Sequence, residues 1–183
     1  MINIIYHSVI AHLHRAFSKL PLKKSKIMFG KLNSDQIEKV IGDNIIGRLG
    51  CHADGKTYVV PISYAYDGEF IYARTFEGLK ISMMRKNPKV CFQIDEMENM
   101  GDWKSVVTWG TFEELLTEKD RNQGLEKLIS RMIPEIASET VKISPQWPFP
   151  TDDFAKIKGI ILRIRLTEKT GRFEMMDSKA HAK

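Results

Sequence analysis

The sequence predicts an α+β fold in which six antiparallel strands form a small barrel with helices at its ends. Two observations predict it. Six β-rich segments are joined mostly by short turns, and the helical segments are expected at the ends of the sheet. A doubly wound parallel sheet would need a helix between successive strands, which the first three lack. A length of 183 residues, 43% of them hydrophobic, suits one compact domain.

The first 27 residues differ in charge from everything that follows. They carry five basic residues and no acidic residue, so the 28 basic residues of the chain fall to 23 beyond them, which balances the 23 acidic ones. We therefore divide the chain into a basic extension, residues 1–27, that is disordered or non-native, and one domain, residues 28–183. An arm that touches membranes or nucleic acid is the alternative interpretation of this extension. The charge-balanced domain itself gives no indication of nucleic-acid binding.

The expected location is the cytoplasm. No apolar run reaches the roughly 18 residues of a transmembrane helix, and the apolar part of the extension precedes its basic part, the reverse of a secretory signal. Cys51 and Cys91 have neither CxxC nor metal-ligand spacing, so we expect two reduced thiols. We accordingly expect no stable membrane association.

The N-terminal half of the domain should contain one helix and a three-stranded meander. The helix should begin at Asn33 or Ser34, where apolar residues start to recur at helical spacing. From Asn44 to Tyr72 the pattern becomes β-rich, and Asp-Gly pairs at residues 54–55 and 67–68 predict tight turns.

The middle strand of this meander, residues 57–66, alternates a bulky face with a small one. Pro61 lies on the small face and has no amide hydrogen to give a neighbouring strand. It therefore favours an edge, a bulge or a split in the sheet, which would open the backbone to a ligand. A proline that protects an exposed edge against aggregation is the alternative.

The remaining elements follow from periodicity and from proline positions. In chain order they are a strand at 70–74, a short helix from Leu79 to Asn87-Pro88, strands at 89–95 and 105–115, a helix from Thr117 to Pro134, an irregular crossing at 144–150 and a strand at 159–167.

Several kinds of chemistry are not indicated by any motif. The chain has neither a phosphate loop of the Walker type nor the three spaced glycines of a dinucleotide fingerprint. His12 and His14 lie in the extension with no carboxylate nearby, so we predict no metal site. No serine stands in a nucleophile elbow, and the catalytic residues remain unidentified.

The stretch from Gly47 to Asp95 resembles the pyridoxamine 5′-phosphate oxidase-like flavoproteins, especially their nitroimidazole-resistance branch. The resemblance lies in the order and spacing of short elements, and it continues less specifically through residues 105–115 and 159–172. The elements are Asp54-Gly55, Val60-Pro61, Ile71-Tyr72, Glu77-Gly78-Leu79-Lys80 and Asn87-Pro88. This resemblance implies a six-stranded antiparallel split β-barrel with flanking helices, and a homodimer that holds FMN at the subunit interface.

The resemblance also implies which residues bind the cofactor. The flavin ring would lie along the backbone of the middle strand, Lys80 would meet the phosphate, and two residues would come from the neighbouring subunit. The corresponding residues of this chain are Val60, Pro61, Ile62, Ser63, Arg74, Thr75, Gly78, Lys80 and Ser82 on one side, with Ser105 and Trp109 from the other subunit.

Three positions depart from the patterns of the family. The nitroimidazole-resistance branch has a histidine where this chain has Arg74, and the oxidases have an arginine and a lysine where it has Val60 and Ala65. Pyridoxamine-phosphate oxidation is therefore not expected. The sequence favours an FMN-dependent oxidoreductase that passes hydride or electrons to a small organic acceptor. A non-catalytic FMN or haem protein of the same fold is the alternative, with His52 as the haem ligand.

Overall fold

The computed structural model describes residues 27–131 and 153–176. These residues contain seven strands, three α-helices and one short 3-10 helix. The strands are β1 (Ile27–Lys31), β2 (Ile46–Ala53), β3 (Lys56–Tyr66), β4 (Phe70–Thr75), β5 (Lys89–Asn99), β6 (Asp102–Glu114) and β7 (Ile160–Met176). The helices are α1 (Ser34–Asp43), α2 (Leu79–Lys86) and α3 (Glu118–Ser130), and the 3-10 helix is Phe154–Lys156.

The strands form one antiparallel sheet that closes on itself. Their order is β1-β7-β4-β3-β2-β5-β6, and β6 pairs in addition with β7. Strands β2, β3 and β4 form the predicted meander. The α+β barrel expected from the sequence is therefore confirmed.

Two parts of the sheet exceed the prediction. The additional strand β1 pairs with the second half of β7, which continues to Met176. In addition, β5 and β6 run on to a tight hairpin at Met100 and Gly101, where a longer loop was expected. Strands β5, β6 and β7 are therefore longer than the sequence predicted.

The helices begin at the expected caps. In α1, Asn33 accepts a hydrogen bond from the backbone of Gln36, whose side chain bonds back to the backbone of Asn33. In α3, the Thr117 side chain accepts from the backbone N–H of Asp120. The predicted stop at Pro134 and the crossing at 144–150 lie outside the described residues.

The described core has two parts on opposite faces of the sheet. The barrel interior holds residues such as Leu49, Tyr64 and Phe92, the last two in an edge-to-face contact at 5.1 Å between ring centroids. The second part lies outside the barrel, where α3 packs Leu125 and Leu128 against β3, β4 and β7. Among the described residues, helix α3 thus covers one end of the outer face and does not cover the rest of β3. Within the described spans, no helix is long and apolar enough to cross a membrane.

Candidate functional site

Strand β3 has one open edge. Strand β4 pairs with it only at Tyr64, Ala65 and Tyr66, so among the described residues the stretch from Lys56 to Ser63 is paired only with β2. Pro61 lies on this stretch, as its missing amide hydrogen predicts. The alternation is also as expected, because Ile62 and Tyr64 point into the core while Pro61 is exposed. Backbone groups and a flat, small-residue surface are therefore accessible along this half of β3.

The chain leaves the sheet directly beside this open edge. Strands β3 and β4 pair at Tyr64 and Ala73. Two residues further along the same register Thr75 stands opposite Ile62, and β4 ends there. Residues 76–78 then lead into α2. The N-cap residue Gly78 offers no side-chain cap, and the first turn contains no acidic residue. The N–H groups at this helix end are thus available to an anion.

Lys80 adds a positive charge to the same helix end. Its side chain is half-buried and makes neither a hydrogen bond nor a salt bridge within the described part of the chain. The one acidic residue of the loop, Glu77, is neutralised instead by Arg85, through contacts of 2.8 and 3.1 Å. Arg85 also binds Glu114 at 2.9 Å. The start of α2 therefore keeps an uncompensated positive potential.

The other predicted residues of this loop are placed as follows. The Thr75 side chain is buried, and its hydroxyl lies 3.4 Å from the carbonyl oxygen of Phe76, to which it donates. Ser82 is exposed one turn into α2. Gly78 has an extended φ of 161°, which any residue adopts, and a Cβ added to it would meet no atom within 4 Å. The fold itself therefore leaves space at Gly78.

Arg74 lies near a second basic residue. Its Nε donates to the carbonyl oxygen of Lys158 at 2.8 Å, and its guanidinium lies 5.1 Å from the ring centroid of Phe76. Burial, and then the charge of Arg121, lower the pKa of Arg74. Arg121 donates to the carbonyl oxygens of Ile157 and Gly159. The guanidinium that replaces the expected histidine is thus held against the backbone next to the start of β7.

Ser105 and Trp109 lie far from the open edge of β3 within one chain. They are on β6, which is separated from β3 by β2 and β5, a distance of roughly 14 Å at the usual strand spacing. The register aligns Val59, Gly50, Cys91 and Trp109 across these four strands on the outer face. Val59 is 59% exposed and Trp109 42% exposed. One chain therefore does not bring Trp109 to the flavin strand predicted from the sequence.

Arg131, which follows the last turn of α3, is a site residue that was not predicted from the sequence. One terminal nitrogen donates to the carbonyl oxygen of Tyr64 at 2.7 Å, and both terminal nitrogens lie 3.2 Å from the Ser63 hydroxyl oxygen. Its Nε–H is buried and has no hydrogen-bond partner among the described residues. Burial lowers the pKa of Arg131. An arginine at a helix end is ordinarily explained by the helix dipole, so the sequence contained no signal for this contact.

His52 and the acidic residues show no arrangement typical of a metal or haem site. His52 is exposed, and its Nδ1 lies 3.2 Å from the Thr57 hydroxyl oxygen across the β2–β3 hairpin. Within residues 27–131 and 153–176, no group of three or more His, Cys, Asp or Glu side chains is placed to hold a metal ion.

Comparisons with known proteins cover most of the chain. A family model described as pyridoxamine 5′-phosphate oxidase matches residues 33–173. An FAD-binding protein from Mesorhizobium loti is 32% identical, with a TM-score of 0.63 over 80% of this chain and 98% of that one. An uncharacterized curated protein from Rhizobium meliloti strain 1021 is 39% identical over 84 residues, which are 46% of this chain and 56% of that protein. The match thus spans about half the length of that relative.

Two more distant structures share the fold. A proposed 5-nitroimidazole antibiotic resistance protein from Bacteroides thetaiotaomicron is 16% identical, with a TM-score of 0.59 over 81% of this chain and 91% of that one. An FAD- and haem-binding protein from Mycobacterium smegmatis is 13% identical, with a TM-score of 0.57 over 82% and 79%. At these identities the likeness concerns the fold alone. Together with the family match over residues 33–173, the split barrel establishes that the chain belongs to the pyridoxamine 5′-phosphate oxidase family.

Proposed function

We propose that this protein is a homodimeric flavoprotein that binds FMN along the open edge of β3 and passes hydride or electrons from the reduced flavin to a small organic acceptor. One observation carries the proposal. The open half of β3 lies beside a helix N-terminus whose lysine has no partner among the described residues and whose first turn has no acidic residue. FMN has a flat ring with a polar edge and a phosphate tail, which would match an open strand edge that lies beside a positively charged helix end.

Each part of FMN has a suitable group nearby. The backbone from Val60 to Ser63 would hydrogen-bond the ring edge and bias its electron density. Lys80 and the N-terminus of α2 would hold the phosphate as a point charge and a set of N–H donors. Ser82 would add an exposed hydroxyl donor, and Thr75 would add a second if its O–H turned from the Phe76 carbonyl oxygen to the phosphate.

FMN is favoured over FAD by the charge at this helix. One lysine and one helix N-terminus suit a single terminal phosphate, whereas FAD carries a diphosphate and an adenosine that need further contacts. The relative from Mesorhizobium loti is described as FAD-binding, so the two cofactors should be compared directly. Titration of the ligand-free protein with FMN, FAD and riboflavin makes that comparison. We expect FMN to bind most tightly.

A second copy of the chain would complete the site. The outer face of the sheet exposes Ile46, Val59 and Trp109 at 56%, 59% and 42%, an apolar surface that dimerisation would cover. Because Ser105 and Trp109 lie three strands from the open edge of their own chain, we expect them to reach a flavin at that edge from the other subunit.

The residues at the site position the cofactor rather than exchange protons. A bound flavin supplies hydride transfer at its N5 atom. Arg74, unlike the histidine it replaces, keeps its proton at physiological pH, so it offers charge and no acid–base step. A cytoplasmic setting suits the two cysteines, which remain free thiols on neighbouring strands.

Reoxidation kinetics distinguish an oxidoreductase from a flavin carrier. The bound flavin is reduced without oxygen and mixed with a panel of small acceptors, including nitroaromatic compounds and quinones. An oxidoreductase reoxidises faster with at least one acceptor than free FMN does. Rates that never exceed those of free FMN would favour the carrier. Haem binding, the other alternative, would give a sharp Soret band on titration with haemin, and His52→Ala would abolish it.

A further inference from the structure

The contact between Arg131 and Ser63 determines how the Ser63 hydroxyl can bond. Both terminal nitrogens of the guanidinium lie 3.2 Å from the hydroxyl oxygen and donate to it. A serine oxygen has two lone pairs, so these two bonds use its capacity as an acceptor. Its own O–H remains as a donor, and no described residue accepts from it. Ser63 is therefore held as a hydrogen-bond donor beside the open stretch of β3.

The guanidinium also brings a positive charge that no described carboxylate neutralises. Its protein partners are a carbonyl oxygen and a hydroxyl, and within the described residues it makes no salt bridge. Its Nε–H is buried without an acceptor. A charge in such a position acts over a longer distance than one in water, because the surrounding medium screens it less.

We propose that Arg131 is a positioning residue for the flavin: it fixes Ser63 as a donor to a carbonyl oxygen of the pyrimidine ring and stabilises the anionic reduced form. This inference rests on the proposed FMN site. Hydride addition at N5 leaves a negative charge shared between N1 and the adjacent carbonyl oxygen. A donor and a cation at this end of the ring favour the reduced state over the neutral oxidised state, and so raise the reduction potential.

The test measures the midpoint potential of the bound flavin by equilibration with redox dyes. The variants are Arg131→Gln, Arg131→Lys, Ser63→Ala and the Arg131→Gln/Ser63→Ala double variant. Arg131→Gln should lower the potential by the equivalent of about a 30-fold loss of preference for reduced over oxidised flavin, the usual size for a hydrogen bond to a charged group. Ser63→Ala should also lower the midpoint potential. The double variant should shift less than the sum of the two single shifts, because both changes remove one coupled unit.

Lys127→Gln is the matched control. Lys127 lies one turn earlier on α3, but its ammonium is 3.6 Å from the Asp67 carboxylate, so its charge is already compensated. We expect this variant to leave the potential unchanged. Arg131→Lys keeps the charge but not the paired donors, so its potential should fall between wild type and Arg131→Gln.

The outcomes separate this inference from the proposed function. If the wild type takes up flavin but Arg131→Gln shifts the potential no more than Lys127→Gln does, Arg131 merely ties α3 to β3 and the inference fails alone. Additive shifts in the double variant would contradict the coupling through Ser63. If the wild type takes up no flavin, the inference and the proposed function fail together. Where Arg131→Gln does not fold, Arg131→Lys and Ser63→Ala decide the question.

Discussion

Replacing Lys80 by methionine should weaken FMN binding without affecting riboflavin. Methionine keeps most of the length of the side chain and removes the charge. Lys80 is half-buried, and no described carboxylate neutralises its charge. A hydrogen bond to a charged group contributes about 2 kcal/mol. We therefore expect the Kd for FMN to rise about 30-fold.

Fluorescence quenching of FMN and riboflavin, titrated with ligand-free protein, measures this change. Riboflavin lacks the phosphate, so its affinity for Lys80→Met should equal that for wild type. Lys86→Met is the matched control, because Lys86 ends the same helix and its ammonium pairs with Asp54 at 2.5 Å. An unchanged FMN affinity, or an equal loss for riboflavin, would refute a phosphate contact.

Three further predictions concern the dimer, the pH dependence and the packing. Val59→Asp places a charge on the apolar outer face and should give monomers in sedimentation experiments. These monomers should bind FMN more weakly than wild type does. A Val59→Asp dimer loaded with FMN would contradict the interface. Burial tends to raise the pKa of Asp67, but bonds from two backbone N–H groups and a tyrosine hydroxyl, and the charge of a lysine, lower it. Its ionised form therefore adds stability above the unfolded pKa of about 3.9, and this is lost as the pH falls through the lower folded pKa. Asp67→Asn should cost about 1 kcal/mol in urea unfolding at pH 7 and less at pH 3; an equal cost at both would refute this assignment. Gly47→Ala sets a Cβ 2.2 Å from the fully buried ring of Phe92 and should destabilise the protein by about 2 kcal/mol. Gly42→Ala, whose Cβ would meet nothing within 4 Å, should instead stabilise α1 by about 0.5 kcal/mol. Thermal unfolding measures both changes, and equal effects would contradict the packing.

The meander was predictable because its signals are local. Asp54 and Gly55 both have positive φ, 51° and 74°, which is the conformation that a two-residue Asp-Gly hairpin requires. Alternation along β3 likewise identified its buried and exposed faces, since side chains on a strand point in opposite directions at every step.

The ends of the barrel were not predictable in the same way. The second half of β7, residues 168–176, contains several polar residues and one glycine. It forms a strand because residues 168–174 pair with β6 and residues 172–176 pair with β1. Long-range pairing of this kind overrides weak local propensity.

The residues of the candidate site were likewise only partly predictable from the sequence. Lys80 and Ser63 could be proposed from a resemblance carried by short motifs. Arg131 could not, because it reaches Ser63 through the packing of α3 on β3, and the two residues are 68 positions apart in the sequence. Hydrogen-bonding partners that depend on how two elements pack leave no pattern in the chain.

Flavin binding by this split barrel can be seen in the absorbance spectrum of the purified protein from about 300 to 600 nm. Mass analysis of the ligand released by heat completes the measurement. We expect the two absorbance bands of a flavin and a released mass equal to that of FMN. A colourless protein that also fails to take up added FMN would contradict it.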